Sequence, residues 1–171
     1  YIMDWEVSGP YVQDGKGCAE LFNIPFAPEN DPAAAKWQKM PLYENPPHVG
    51  YIDLLTALDG GHNRVAYLRT TIDSPEDTKV TFEIFSDDGL KAWLNGKVCH
   101  ENNIARPNMP EPDIANAAFK KGKNQLMLKI TQNTMPWGVI VRTKTAKKEI
   151  VKVGDNFKVH IINAQSKFEA A

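Results

Sequence analysis

The segment at residues 86–97, SDDGLKAWLNGK, decides the fold of this chain of 171 residues. Leu90, Ala92 and Leu94 alternate with side chains that face the other way, the period-two pattern of a strand with one buried face. Trp93 lies on the opposite phase and is expected to be exposed or to lie under a loop. An Asn-Gly pair follows at 95–96, and both residue types tolerate the positive φ angles of a type I′ turn. The segment therefore predicts a strand that leads into a tight β-hairpin.

The same alternation recurs at residues 64–72, 79–84, 125–130 and 137–141, with turn-forming residues between these segments. Strands that each have one apolar face must pair as two packed sheets or close into a barrel to bury it. The sequence therefore predicts an all-β fold, an antiparallel β-sandwich. A single short helix is predicted at 32–39, where an Asp-Pro pair precedes three alanines.

Composition and charge exclude several classes of protein. Hydrophobic residues make up 42% and charged residues 24%, which excludes a disordered or collagen-like chain. The net charge of −1 gives no bulk attraction to nucleic acid. No apolar run approaches the roughly 20 residues that cross a bilayer. The chain starts at Tyr1 without a visible signal peptide, so we expect a mature or excised fragment.

Two long proline-rich stretches are the candidate functional loops. Residues 23–50 contain six prolines and residues 100–113 contain three. Loops of this length are uncommon unless they carry function or are pinned to the surface. Prolines lower the entropy that such loops lose when they are held in one shape. We therefore expect these two loops to contribute to a binding site.

The sequence contains no recognisable catalytic constellation, and we expect a protein that is not an enzyme. It lacks a phosphate-binding glycine-rich loop, a metalloprotease helix and a nucleophile elbow. An enzyme that pairs Asp87 with Glu111 or Asp113 remains an alternative, since a glycosidase needs two facing carboxyl groups. Cys18 and Cys99 could form one disulfide or remain two separate buried thiols.

Three segments resemble, in their order along the chain, the galactose-binding-like jelly-roll modules of secreted bacterial glycan-degrading proteins. The segment at 86–97 resembles their S-D-D-G, apolar alternation and N-G-K signature. FKKGKNQL at 119–126 resembles the following strand, turn and strand, and WEVSGPY at 5–11 resembles the N-terminal part. The resemblance covers about residues 1–143. It implies a noncatalytic jelly-roll module, extracellular or periplasmic, that binds carbohydrate or accompanies a catalytic domain.

A narrower resemblance, to flocculin-type sugar-binding domains, concerns Asp87 and Asp88. In those domains an Asp-Asp pair holds a calcium ion that in turn ligates sugar hydroxyls, which implies Asp87 and Asp88 as metal ligands here. Calcium takes six to eight oxygen ligands, so carbonyls, water or the asparagines of the second loop would complete the site. The alternative is that the two acids only form the turn, through Asx hydrogen bonds. No cofactor other than calcium is expected.

A pyranose stacks its C–H face on an aromatic ring and directs its hydroxyls to planar polar groups. The candidate carbohydrate-binding residues are accordingly aromatic or polar residues of the loops and of the last strand: Trp37, Tyr43, His48, Arg106, Asn108 and Trp137. Plainer roles are open for several of them. Trp37 and Tyr43 can anchor their loop, and Trp137 is in phase with Val139 and Val141, as a core residue is.

We therefore expect a secreted module that binds a polysaccharide or oligosaccharide beside neighbouring domains of a larger protein. Residues 1–143 are predicted to form the sandwich, and 144–171 an extra β-hairpin or a linker toward a following module. The alternative is a structural or protein-interaction domain that packs beside a catalytic or cofactor-bearing partner and has no sugar site.

Overall fold

The computed structural model describes residues 1–41, 46–107, 111–145, 147–153 and 156–162, the last two ranges by their backbone alone. The strands are β1 (Glu6–Tyr11), β2 (Gln38–Lys39), β3 (Ile52–Asp53), β4 (Arg64–Ser74), β5 (Thr78–Asp87), β6 (Leu90–Leu94), β7 (Lys97–Asn102), β8 (Asp113–Phe119), β9 (Gly122–Gln132), β10 (Gly138–Thr145), β11 (Lys147–Val153) and β12 (Asn156–Ile162). Short helices lie between them: α1 (Cys18–Phe22), α2 (Ala27–Asn30) and α3 (Leu54–Ala57).

Two antiparallel sheets face each other, which confirms the predicted all-β sandwich. One sheet has the strand order β2-β1-β4-β9-β6-β7, and the other has the order β3-β10-β5-β8. Alternate residues of each strand point into one shared core, as the period-two pattern requires. Leu68 and Leu128 enter it from the six-stranded sheet, and Phe82, Ile84 and Val141 enter it from the four-stranded sheet.

The predicted hairpin is confirmed. β6 and β7 pair with Leu94 opposite Lys97, and the two turn residues, Asn95 and Gly96, have φ angles of 51° and 77°. Both values are positive, as a type I′ turn requires. Trp93 is 8% exposed and lies on the outer face of the six-stranded sheet, so it lies under a loop.

Residues 12–37 form that loop, and they cross the outer face of the six-stranded sheet. Helix α1 contacts β4 and β9, and its Leu21 is buried in a second apolar cluster with Val65, Tyr67 and Trp93. The central strands of this sheet are therefore covered on both faces. This explains why β4, β6 and β9 carry large side chains on the phase that solvent would otherwise reach.

Lys129, on strand β9 under this loop, binds the loop to the sheet. Its side chain is fully buried, and its ammonium donates hydrogen bonds to Glu29 Oε1 at 2.8 Å and to the carbonyl of Ile24 at 2.7 Å. The Tyr67 hydroxyl donates to the same Glu29 oxygen. The ring centres of Phe26 and Tyr67 each lie 5.6 Å from the Lys129 ammonium, within cation–π range. Burial lowers the pKa of Lys129, and Glu29 opposes that shift.

The helix predicted at 32–39 is wrong. Residues 32–34 form a turn in which the Ala34 amide donates to the carbonyl of Asp31, and β2 pairs with β1. Pro32, Ala33 and Ala34 are exposed, so a helix here would have no apolar face to bury. Helices of two turns are not stable without such packing.

Cys18 and Cys99 are free thiols, so the disulfide left open by the sequence is absent. The buried Cys18 thiol instead donates to Thr131 Oγ1 at 3.2 Å. Within the described ranges, no helix has the length and apolar character needed to cross a membrane.

The tail forms a hairpin of its own, in which β11 and β12 pair as a two-stranded sheet. The turn residues predicted there, Gly154 and Asp155, lie outside the described residues. β10 continues to Thr145, slightly beyond the predicted end of the module at 143. The division into a module at 1–143 and an appendage at 144–171 stays a prediction.

Candidate functional site

The principal candidate site lies where the chain passes from one sheet to the other. β5 ends at Asp87 and β6 begins at Leu90 in the opposite sheet. Asp87 and Asp88, which are joined by a cis peptide bond, line a cleft of about 220 Å³ together with residues 105–107 and 133–136. The two acids are 2% and 4% exposed. We call this feature the Asp cleft.

Asp88 connects the two loops that form the walls of the Asp cleft. Its Oδ1 accepts a hydrogen bond from the backbone N–H of Arg106 at 2.7 Å, and its Oδ2 accepts one from the backbone N–H of Asn133 at 2.6 Å. Burial raises the pKa of Asp88, and the two backbone hydrogen bonds partly offset that shift. One carboxylate thus fixes both walls.

Gly89 is required by the close approach of neighbouring backbone at this point. A Cβ at position 89 would lie 2.7 Å from Thr131 Oγ1 and 3.3 Å from the carbonyl oxygens of Asn102 and Ile104. The Gly89 amide instead donates to Thr131 Oγ1 at 3.0 Å. Because Gly89 has no side chain, Thr131 of β9 and the backbone of residues 102–104 can both pack against it, next to the Asp pair.

A partly buried polar network holds the guanidinium of Arg106 beside the Asp cleft. Its Nη2 donates to Asp113, with which it forms an ion pair, and to Ser86 Oγ at 2.9 Å. Asn102 also donates to Asp113, at 3.2 Å. Burial acts to raise the pKa of Asp113, but Arg106, Asn102 and His100 together outweigh it and hold that pKa below its usual range. Arg106 is therefore fixed in place.

We expect Asp113→Asn to lower stability at neutral pH by about 2 kcal/mol, the usual loss for a hydrogen bond to a charged group. The pKa of Asp113 is depressed in the folded state, so its contribution is present above the unfolded pKa of about 3.9 and is lost as the pH falls through the folded value. The difference between wild type and variant should therefore shrink as the pH falls from about 5 to below the unfolded pKa. Urea unfolding across that range measures it, with the exposed Asp73→Asn as control. A difference that does not change with pH would contradict the assignment.

The Asp cleft unites three of the predicted site residues. Asp87, Asp88 and Arg106 all line it. His48 is an exposed loop residue that does not line it. Tyr43 and Asn108 lie outside the described residues.

The structure places Trp137, one of the predicted carbohydrate-binding residues, away from the surface. Its side chain is 0% exposed and belongs to the core between the sheets, so its ring has no free face for a sugar. The carbonyl of Trp137 accepts hydrogen bonds from the amides of Leu54 and Leu55 at the start of α3. This position agrees with the alternation of the sequence, in which Trp137 is in phase with Val139 and Val141, as a core residue is.

Trp37 lies in a second concavity, which we call the Trp37 groove. This groove has a volume of about 420 Å³ and is lined by Pro25, Pro28, Glu29, Pro32, Trp37, Arg69, Trp93, Gly96, Gln125 and Met127. Strand β9 contributes Gln125 to this groove and reaches the Asp cleft just after Gln132. At about 3.3 Å per residue, Gln125 and Asn133 are roughly 25 Å apart along the strand. The predicted sugar-binding residues therefore divide between two places.

Two groups of site residues were not predicted from the sequence. The wall at 133–136 has turn-like composition, but only the pairing of β6 with β9 brings it to the Asp pair. The floor of the Trp37 groove had a usable signal, since Trp93 and Met127 are large apolar residues on the outward phase of two strands. Outward apolar residues on paired strands indicate a covered face or a binding surface.

The oxygen-bearing side chains that line the Asp cleft are of the type that calcium prefers as ligands. Asp87 and Asp88 supply carboxylate oxygens, and Asn133 and Thr134 bring amide and hydroxyl oxygens to the same lining. Among the residues described, no three carboxylate, imidazole or thiol groups come together as a metal cluster. A calcium ion, which takes six to eight oxygens, would therefore also need carbonyls, water or ligand hydroxyls. With that help, the residues present fit the ion.

No protein-family model matches the chain, and a comparison with curated proteins gives no significant match. Among solved structures, the chain is similar to an anti-sigma factor domain-containing protein, with a TM-score of 0.50 and 10% identity over 95% of this chain and 46% of that one. The chain therefore spans less than half of that protein. At this identity the similarity shows a shared fold alone.

Two glycoside hydrolases are more distant. One is a beta-glucosidase from Kluyveromyces marxianus in complex with glucose, with a TM-score of 0.43 and 10% identity over 84% of this chain and 16% of that one. The other is a Faecalibacterium prausnitzii beta-glucuronidase, with a TM-score of 0.40 and 13% identity over 75% of this chain and 20% of that one. The chain is similar to a small part of each enzyme.

Proposed function

We propose that this chain is a noncatalytic carbohydrate-binding module of a secreted glycan-degrading protein, and that it binds sugar at the Asp cleft with the help of calcium. The observation that carries the proposal is the meeting of Asp87, Asp88 and Arg106 in one cleft at the end of the sandwich. Two nearly buried carboxylates in a concave site favour a cation or a polyhydroxylated ligand over an anion.

Each residue of the Asp cleft has a role in this proposal. Asp87 and Asp88 would hold the ion, which supplies a positive centre for sugar hydroxyls when bound. The hydrogen bonds of Asp88 to both loops fix the shape of the site before the ligand arrives. Met135, which is 73% exposed, offers an apolar surface to the C–H face of a pyranose. Arg106, held by Asp113, presents its backbone and aliphatic stem as one wall.

Calcium titration tests this proposal directly. We expect isothermal titration of the full chain to show a binding heat and thermal melting to show a higher midpoint in calcium than in chelator. Asp87→Asn removes one anionic ligand with little change in shape, so calcium affinity should fall by tenfold or more. The exposed Asp73→Asn is the matched control and should bind as wild type does.

Retention of the chain in gels that contain soluble plant, algal or microbial polysaccharides should likewise depend on calcium. Retention that is equal in calcium and in chelator, or the absence of any calcium heat, would remove the Asp cleft as the sugar site. Secretion of the parent protein belongs to the same proposal, and fractionation of the native host with an antibody to this chain checks it.

A second candidate function is a structural or protein-interaction module without a sugar site. Both oxygens of the Asp88 carboxylate already accept backbone hydrogen bonds, so the acid has a structural role that needs no ligand. If this role is the whole function, Asp88→Asn lowers the melting temperature by the same amount in calcium and in chelator. Wild type is then not retained by any glycan.

A further inference from the structure

The Trp37 groove is built on a row of side chains that crosses the six-stranded sheet. In the strand register, Arg69 on β4 is opposite Met127 on β9, which is opposite Trp93 on β6. Neighbouring strands lie about 4.8 Å apart, so this floor is roughly 10 Å long. Its volume of about 420 Å³ lies in the range of small-ligand sites, whereas the Asp cleft is smaller.

The walls of the Trp37 groove are held rigid before any ligand binds. Pro25, Pro28 and Pro32 form one wall, and Glu29 between them is tied to the buried ammonium of Lys129. Proline rings lose little conformational entropy on binding. A loop that is anchored in the folded chain has already lost most of its conformational entropy on folding. The groove is therefore a preorganised feature of the folded chain.

Aromatic, apolar and planar polar groups together line this groove. The guanidinium carbon of Arg69 lies 4.3 Å from the ring centre of Trp37, so the two planar groups stand close together at one end. Trp93 and Met127 form the apolar floor, and Gln125 is exposed at the rim. This mixture matches a sugar chain, which has apolar C–H faces and hydroxyls that need donors and acceptors.

The charges of the groove indicate the kind of glycan. Arg69 and Glu29 are its charged lining residues. Each is already paired outside the groove, Arg69 with Glu6 at 2.7 Å and Glu29 with Lys129 at 2.8 Å. A ligand that carried its own charge would find no uncompensated partner among these groups. The groove therefore favours a neutral ligand over a uronate, a sulfated glycan or an acidic peptide.

We propose that the Trp37 groove is a second carbohydrate site, which binds a short neutral oligosaccharide across the strands without calcium. It shares the ligand class of the proposed function and rests on it to that extent, but it uses other residues on another surface. A chain with both sites can hold two segments of one polysaccharide, and its avidity then exceeds the affinity of either site.

The test is affinity measurement with neutral hexaoses of glucose, xylose and mannose, each in calcium and in chelator. Gln125→Trp places a bulky ring in the groove at an exposed strand position, so the fold should persist. We expect it to lower the chelator-resistant affinity at least about tenfold, and Trp37→Ala to do the same. The matched control is Lys123→Trp, two residues earlier on the same face of β9 and outside the groove, which should bind as wild type does.

The outcomes separate the two sites. Binding in chelator that survives Asp87→Asn but is lost in Gln125→Trp supports the groove. If Gln125→Trp abolishes binding in calcium as well, the Asp cleft is overturned as a sugar site. Binding that requires calcium and is unchanged in Gln125→Trp overturns the groove and leaves the Asp cleft in place. Equal loss in Gln125→Trp and Lys123→Trp also overturns the groove, and so does the failure of every neutral hexaose to bind in chelator.

Discussion

Replacing Glu29 by alanine should lower the free energy of unfolding by about 3–5 kcal/mol, the loss expected when one partner of a buried ion pair is removed. The reason lies in Lys129, whose ammonium has no exposed surface and relies on Glu29 and one backbone carbonyl. Without the carboxylate, the charge must remain unpaired in a low-dielectric site or give up its proton. Tyr67 loses its acceptor in the same step.

Urea unfolding of three variants measures this effect. Lys129→Met leaves the Glu29 carboxylate without its cation, but that carboxylate is partly exposed and keeps the Tyr67 hydroxyl as a donor, so this variant should cost less than Glu29→Ala, which leaves a fully buried ammonium. The double variant Lys129→Met with Glu29→Gln should also be more stable than Glu29→Ala alone. If Glu29→Ala costs under about 1 kcal/mol, the ion pair does not hold the loop, and the rigid proline wall of the Trp37 groove loses its physical basis.

Trp137→Ala should be comparably destabilising, by about 3–5 kcal/mol, because it deletes the largest side chain type from a closed core. Trp137 is among the largest fully buried residues and lies in the apolar cluster shared by both sheets. The surrounding side chains belong to strands on both sides and cannot collapse fully into the space. Replacing an exposed aromatic residue of a sugar site by alanine would instead lower the stability little and the sugar affinity strongly.

Trp137→Phe is the control for this prediction. It keeps an aromatic ring and removes an indole N–H that has no hydrogen-bond acceptor in the described part of the chain, so it should cost under about 1.5 kcal/mol. Iodide quenching should leave the Trp137 component of fluorescence unchanged while it reduces that of Trp37. If a soluble glycan quenches Trp137, its placement in the core is contradicted.

The strands could be predicted from the sequence because alternation reports a physical requirement at each position. Leu90, Ala92 and Leu94 must face the core, and an Asn-Gly turn needs no partner elsewhere in the chain. The helices could not be predicted, because each has only four or five residues and depends on packing. Helix α1, for example, is held by the burial of Leu21 and Phe22 against the sheet. Ala33 and Ala34 have better helix propensity, but both are exposed and have no surface to pack on.

The candidate site could be predicted in part. Asp87 and Asp88 are adjacent in sequence. Arg106 lies beside them in the proline-rich loop at 100–113, which was predicted to contribute to a binding site. The separation of Trp37 from that cleft could not be foreseen, because it depends on which face of which sheet the first loop crosses. Lys129 helps to hold the loop on that face through its hydrogen bonds to Ile24 and Glu29, but in the sequence it looks like an ordinary outward polar residue.

The strand order also dictates when this chain can become compact during synthesis. β4 is complete at Ser74, but its long partner β9 ends at Gln132; β5 is complete at Asp87, but its partner β10 ends at Thr145. Apart from the β6–β7 hairpin, the central strands of the sandwich therefore leave the ribosome before the segments that shield them. Such long-range pairing slows folding and leaves apolar strands open to misassociation. The nascent polypeptide is thus expected to need chaperones until β10 has left the ribosome.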